Sequence, residues 1–162
     1  MRTAILTVST SVAAGETEDR SGAALAEHAT AAGAEVVARD VVADDRTAIE
    51  DWLRRQAAQG ATLIFTTGGT GLTDDDVTPE ATAAVIERPA PGFAEAMRAE
   101  ALRHTPMGIL TRGHSGIVGR SLVINFPGNP RAIGELFPVI APTLEHVVAT
   151  LQRERGTRTP GH

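Results

Sequence analysis

Short apolar runs alternate with stretches of helical spacing, and this alternation constrains the chain more than any other feature. Residues 4–8, 35–42, 63–65, 109–110 and 122–124 hold the apolar runs. The first is short and largely non-alternating, the pattern of a strand buried on both faces, and the others read as further strands. Between them, residues 20–32 carry Leu25 and Ala29 on one face and stop at Gly33. Asp44 or Asp45 opens a helix with Ile49, Trp52, Leu53 and Ala57 inward, ending at Gly60. Thr78-Pro79-Glu80 is a third start: a capping hydroxyl, a proline suited to the first turn, and a carboxylate at the positive end of the dipole. A fourth helix runs from about Phe93 to Arg103 with Met97 and Leu102. Asn129-Pro130 opens the last helical stretch, whose stripe includes Ile133, Phe137, Ile140 and Leu144, and which Pro138 and Pro142 are expected to split or kink. Strands alternating with helices predict an α/β sandwich with a mainly parallel sheet. There is no internal repeat and no linker, so residues 1–152 read as one domain and residues 153–162 as a polar, disordered tail.

Composition removes several chemistries. Cysteine is absent, which excludes thiol nucleophiles and thiolate metal sites. Lysine is absent as well, since all 15 cations are arginines, so neither a P-loop lysine nor a lysine-linked intermediate is available. A net charge of −5 and an aromatic content of 3% argue against nucleic acid as a partner. The first apolar run is interrupted by Thr7, Ser9, Thr10 and Ser11, too early for a signal peptide. No apolar run approaches the ~20 residues of a membrane span, so the expectation is a soluble, cytoplasmic protein with no membrane partner.

In open α/β sheets, ligands bind beyond the carboxyl ends of the strands. Four segments leave a strand there: Ser9-Thr10-Ser11, Ala43-Asp44-Asp45, residues 68–76, and residues 125–129. Gly68-Gly69-Thr70-Gly71 lets backbone amides approach an anion, although an ordinary glycine-rich turn has the same sequence. Asp74-Asp75-Asp76 follows directly. Such a run reads either as a solvated loop or, beside a phosphate cradle, as carboxylates that need a cation such as Mg²⁺ between them and the phosphate. Asn125 to Asn129 places a turn and a cap before a helix N-terminus, a second anion-friendly spot that an ordinary connection would equally explain. Arg112 and Arg120 lie upstream among glycines, with His114, and either arginine reads as a phosphate ligand or as a surface charge.

Those residues resemble a known family. Thr66-Thr67-Gly68-Gly69-Thr70-Gly71 followed by Asp76-Val77-Thr78-Pro79-Glu80-Ala81 is similar to the T-T-G-G-T-G…D-x-T-P-E-A signature of MoaB/Mog proteins of molybdenum-cofactor biosynthesis. Leu110-Thr111-Arg112, Gly116, Gly119 and Ile124 to Arg131 resemble its S-R…G…G…N-L-P-G-x-P-K block. Asp19-Arg20-Ser21-Gly22 and Val42-Ala43-Asp44-Asp45 look like its D-x-S-G and V-x-D-E elements. The resemblance covers nearly everything from Thr3 to Leu151.

The resemblance implies a three-layer α/β/α molybdopterin-binding domain, usually a trimer, that adenylylates the terminal phosphate of molybdopterin with Mg-ATP and releases pyrophosphate. Carried over by position, Asp76 and Asp44 are the functional acids and the Mg²⁺ ligands. Gly68, Gly69, Thr70, Gly71 and Asp75 fall on the nucleotide side; Thr111, Arg112, Asn125, Pro127, Gly128 and Asn129 fall on the molybdopterin side. Asp75 stands where many members have arginine, Thr10 where aspartate is commoner, and Thr111 and Phe126 replace serine and leucine. These departures bear on catalysis more than on fold. The alternative is a non-catalytic molybdopterin-binding or carrier protein of the same fold.

Overall fold

Apolar side chains at successive strand positions require cover on both faces, and the computed structural model, which describes residues 1–153, provides it. In chain order the elements are β1 (Arg2–Val8), α1 (Thr10–Ala13), α2 (Arg20–Ala31), β2 (Glu35–Val42), α3 (Arg46–Ala58), β3 (Leu63–Thr67), α4 (Thr78–Val85), β4 (Arg88–Pro89) and α5 (Gly92–His104). A 3-10 turn (Pro106–Leu110), β5 (Ser115–Val118), β6 (Ser121–Phe126), α6 (Pro130–Ile140), a second 3-10 turn (Ala141–Thr143) and α7 (Leu144–Gln152) complete them. The sheet has six strands in the order β2-β1-β3-β6-β5-β4. β2, β1, β3 and β6 are parallel, whereas β5 runs antiparallel to β6 and β4 antiparallel to β5.

Alternate strand residues divide between two cores. Ile5, Phe65, Ile124 and Phe126 pack on one face against α2, α5 and α6 through Leu25, Met97, Ile133 and Phe137. Leu6, Ile64 and Val123 pack on the other against α3 and α4 through Ile49, Trp52, Leu53 and Val85. The architecture is therefore a three-layer α/β/α sandwich, as expected. The chain passes from β1 outward to β2 and then back across to β3. The loops after β1 and β3 consequently diverge, and the carboxyl edge opens there.

Several local expectations need correction. Ile109-Leu110 is not a strand: Thr105 caps a 3-10 turn that starts on Pro106, and Ile109 lies exposed. The glycine-rich segment expected as a turn contains β5, which forms a tight hairpin with β6 at Gly119-Arg120. Thr78 does not cap α4; its hydroxyl donates to the Gly68 carbonyl at 2.9 Å. Pro138 sits within α6 on an exposed position, where water can serve the carbonyl it leaves free, and the break comes at Pro142. Residues 130–152 are long and apolar enough for a membrane span, but their apolar stripe packs on the sheet through Ile133, Leu136, Phe137, Ile140 and Leu144. Apart from Arg153, the tail expected at 153–162 lies outside the described residues.

Candidate active site

Two clefts share the carboxyl edge. The first, about 440 Å³, is lined by Ser9 after β1, Asp44 after β2, Gly68 and Gly69 after β3, and Gly128 after β6, with Glu18 before α2 and Arg20 and Ser21 of α2 at its side. The second, about 370 Å³, is lined by Thr73, Asp74, Asp76, Glu80, Arg46 and Arg112. Each cleft carries one carboxylate more than it has guanidinium groups. An anionic ligand therefore meets a local field that a cation would have to offset. Among the described residues, no three His, Asp or Glu side chains gather into a metal-binding cluster.

Asp44 is fixed by the neighbouring β1 loop. Thr10 donates to its Oδ2 from the backbone N–H at 2.9 Å and from the hydroxyl at 2.8 Å, and the Asp44 N–H returns a bond to Thr10 Oγ1 at 3.2 Å. The other oxygen, Oδ1, lies beside Gly69. A threonine at the position where the family commonly has aspartate thus orients the acid instead of adding a second one. Asp45, one residue on, caps α3 by accepting from the Ala48 N–H at 2.8 Å.

Asp76 is held within its own loop. Its Oδ2 accepts from the Thr73 N–H at 3.0 Å and the Thr73 hydroxyl at 2.6 Å. The Thr73 hydroxyl bond is the main reason its pKa lies below the usual carboxylate value, with the Thr73 and Gly71 amides and the Arg112 charge adding to it against partial burial. The loop amides that the sequence suggested as a phosphate cradle are in part turned on this internal anion. Asp74 and Asp75 are exposed, and Asp75 lines neither cleft. Asp75 points its charge into solvent beside the second cleft, so any negative potential it adds there is screened.

The glycines have separate reasons. Gly68 and Gly69 adopt φ of +95° and +62°, and a Cβ would run into the Val8 carbonyl at Gly68 and the Thr78 hydroxyl at Gly69. At Gly71, a Cβ would come within 2.8 Å of Asp76 Oδ2. Thr70 is buried, and its carbonyl accepts from the Arg112 N–H at 2.9 Å.

The segments expected on the molybdopterin side mostly support the site from beneath. Asn125 is 2% exposed; its Nδ2 donates to Thr66 and Thr82 at 2.9 Å each, and its Oδ1 accepts from the His114 N–H at 2.9 Å. With its side chain committed in this way, it joins β3, β6 and α4 and is not free for a ligand. The Pro127 carbonyl accepts from Thr67 at 2.8 Å, and Asn129 caps α6 through the Arg131 N–H at 2.9 Å. Gly128 lines the first cleft. Thr111 is half-buried, 3.4 Å from the Thr70 hydroxyl.

Arg112, expected as a ligand-facing charge, is engaged with the protein. Its Nε donates to the Gly71 carbonyl at 2.7 Å, one Nη to the Asp76 carbonyl at 2.6 Å, and the guanidinium pairs with Glu80. Glu80 accordingly has a lowered pKa, first through the Arg112 hydrogen bond.

Sequence reasoning missed the holders of the two acids, Thr10 and Thr73. It also missed the start of α2 as a cleft wall, although the Asp19 to Gly22 element marks it. Asp19 accepts from Thr7, the Gly22 N–H and Arg39, and so binds α2 to β1 and β2.

A mainly parallel sheet with two oriented acids and a glycine loop at a crossover edge defines an α/β protein with its ligand-binding edge at the carboxyl ends of the strands. The comparisons with known proteins narrow this. The family described as "Probable molybdopterin binding domain" matches residues 4–146, and the chain belongs to it. A molybdopterin adenylyltransferase of Helicobacter pylori is 41% identical over 110 residues, covering 67% of this chain and 62% of the relative. The chain thus spans somewhat less than two thirds of that protein. The molybdopterin adenylyltransferase of Escherichia coli is 36% identical over 139 residues, 83% of this chain and 71% of the relative. Among solved structures, the molybdopterin biosynthesis enzyme MoaB of Thermus thermophilus superposes with a TM-score of 0.87 at 41% identity, covering 93% of this chain and 95% of that one.

Proposed function

We propose that this chain, with residues 1–152 as its one domain, adenylylates molybdopterin with Mg-ATP in the cytoplasm. The observation that carries the reading is the pair of oriented acids, Asp44 and Asp76, beside the glycine loop at the carboxyl edge. Relatives named molybdopterin adenylyltransferase support it. In the reaction, a terminal phosphate oxygen of molybdopterin bonds to the α-phosphorus of ATP, and the bond from that phosphorus to the bridging oxygen breaks, releasing pyrophosphate. The attacking oxygen is already ionised near neutral pH, so no strong base is required and catalysis rests on alignment and charge. This suits a chain without lysine or cysteine.

The residues suit a hard cation: carboxylate oxygens in excess of guanidinium groups, with Asp44 Oδ1 beside Gly69. Asp44 and Asp76 would hold Mg²⁺, which would neutralise phosphate charge. Gly69 and Gly128 line the first cleft, and Thr10 and Thr73 keep the two acids in place. The test is incubation with molybdopterin and Mg-ATP followed by detection of adenylylated molybdopterin and pyrophosphate. Binding of molybdopterin without product would instead support the carrier reading. We further propose a homotrimer: Leu102, Met107, Ile109 and Leu110 are exposed apolar side chains on and beside the 3-10 turn after α5, which self-association would cover. A monomeric mass by light scattering at micromolar concentration would remove that part.

A further inference from the structure

The loop that carries Asp76 has little to hold it. Leu72, Thr73, Asp74 and Asp75 are all exposed, and Leu72 keeps 63% of its surface in solvent. Hydrophobic burial therefore contributes little to its shape, which rests on polar contacts. Two sets supply them. One is internal, from Thr73 to Asp76. The other is Arg112, which bonds the carbonyls at both ends of the loop, Gly71 at 2.7 Å and Asp76 at 2.6 Å. Its backbone N–H is fixed to Thr70. Its remaining partner, Glu80, stands in the first turn of α4, a helix whose Ala81 and Val85 are sunk in the core. The guanidinium thus transfers the position of a packed helix to an exposed loop.

We propose that Glu80 and Arg112, at the wall of the second cleft, form a clasp that positions Asp76 for the reaction through their bonds to its loop. This rests on the adenylyltransferase reading for its catalytic part. Glu80 orients the guanidinium fork, the fork fixes both loop ends, and the Asp76 carboxylate settles over Gly71, where any Cβ would displace it. Lysine cannot replace Arg112 here, because one ammonium cannot span two carbonyls and a carboxylate in a fixed plane. Both are positioning residues, since their effect on chemistry passes through Asp76.

The test uses the full chain and two readouts: steady-state kinetics with molybdopterin and Mg-ATP, and amide hydrogen exchange across residues 71–76. In Glu80→Ala, kcat should fall about 10- to 100-fold, as expected for a misplaced catalytic group, with both KM values within roughly threefold. Exchange at Thr73 and Asp76 should speed up. Arg112→Lys should behave alike and serves if Glu80→Ala does not fold. Glu80→Gln, whose amide oxygen still accepts from Arg112, should recover most of the rate. In an Asp76→Asn background, Glu80→Ala should cost less than about threefold more, because coupled residues are not additive. Native exchange rates in Glu80→Ala, fully multiplicative losses in the double variant, or a KM rise that accounts for the whole effect would each overturn the clasp. If the native chain makes no adenylylated product, the functional reading fails and the exchange measurement alone decides the clasp.

Discussion

The two acids of the site are secured by opposite means. Asp44 stands two residues past the end of β2, which pairs along its length with β1, and the Thr10 that holds it stands two residues past the end of β1. The sheet itself brings acid and holder together. Asp76 stands at the end of an exposed loop, held by Thr73 three residues away in sequence and by Arg112 from 36 residues away. An acid placed by the sheet should tolerate loss of a single contact, whereas one placed by polar ties should not.

The largest expected effect tests whether both acids matter at all. Asp76→Asn and Asp44→Asn should each lower kcat by about 10²–10³, the usual cost of one preorganised electrostatic contact, with little change in melting temperature. Native turnover in either variant removes that residue from the chemistry.

The glycines sharpen the contrast. Gly71→Ala should lower kcat by roughly tenfold or more by pushing the Asp76 carboxylate aside, with modest loss of stability. Gly69→Ala should act mainly on stability, by about 1–3 kcal/mol, because its φ is +62° and Thr78 blocks the Cβ. Thermal unfolding beside kinetics separates the two, and equal behaviour would dissolve the distinction.

A smaller effect concerns pH. Asp76 is needed ionised, and the Thr73 side chain is the main cause of its lowered pKa. Thr73→Ala should move the acid limb of kcat upward, while Thr10→Ala should cost kcat a few-fold at most, since the Thr10 N–H still donates to Asp44. The sign for stability is the same: a depressed folded pKa contributes stability above the ordinary value of 3.8, lost as pH falls through the folded value. An unmoved acid limb in Thr73→Ala would break the assignment. The smallest effect is that of Asp75→Arg. Exposed and outside both clefts, it should change KM for ATP by less than about threefold, and that change should fade with added salt. A large, salt-insensitive gain in ATP affinity would restore Asp75 to the site.

Legibility in the sequence follows the same division. β1, β3 and β6 could be read because each buries an apolar run between two helical layers, and β2 because its valines mark a strand, although it lies at the sheet edge with Val37 and Val41 exposed. β4 and β5 could not: two and four residues long, they belong to the antiparallel edge and carry no run. Ile109 and Leu110 have strand chemistry, but Thr105 and Pro106 turn them into a 3-10 element. Asp44, Asp76 and the glycines were visible as motifs. Asn125 was visible too, but its role was not: its partners lie on two other elements, 59 and 43 residues away. The Glu80–Arg112 pair was hidden for the same reason, its members standing 32 residues apart.

The strand order has a consequence for how the chain matures. β3 is sealed on one side early, by β1, but its other neighbour is β6, whose residues emerge from the ribosome only after Gly119 and Arg120. Until then, β3 presents an open, apolar edge and the glycine loop has no Asn125 beneath it. Nascent chains cut short before Ser121 would keep that edge bare, the kind of surface that recruits other strands. Ligand competence and protection from aggregation should therefore arrive together, late in synthesis, as β6 slots in beside β3.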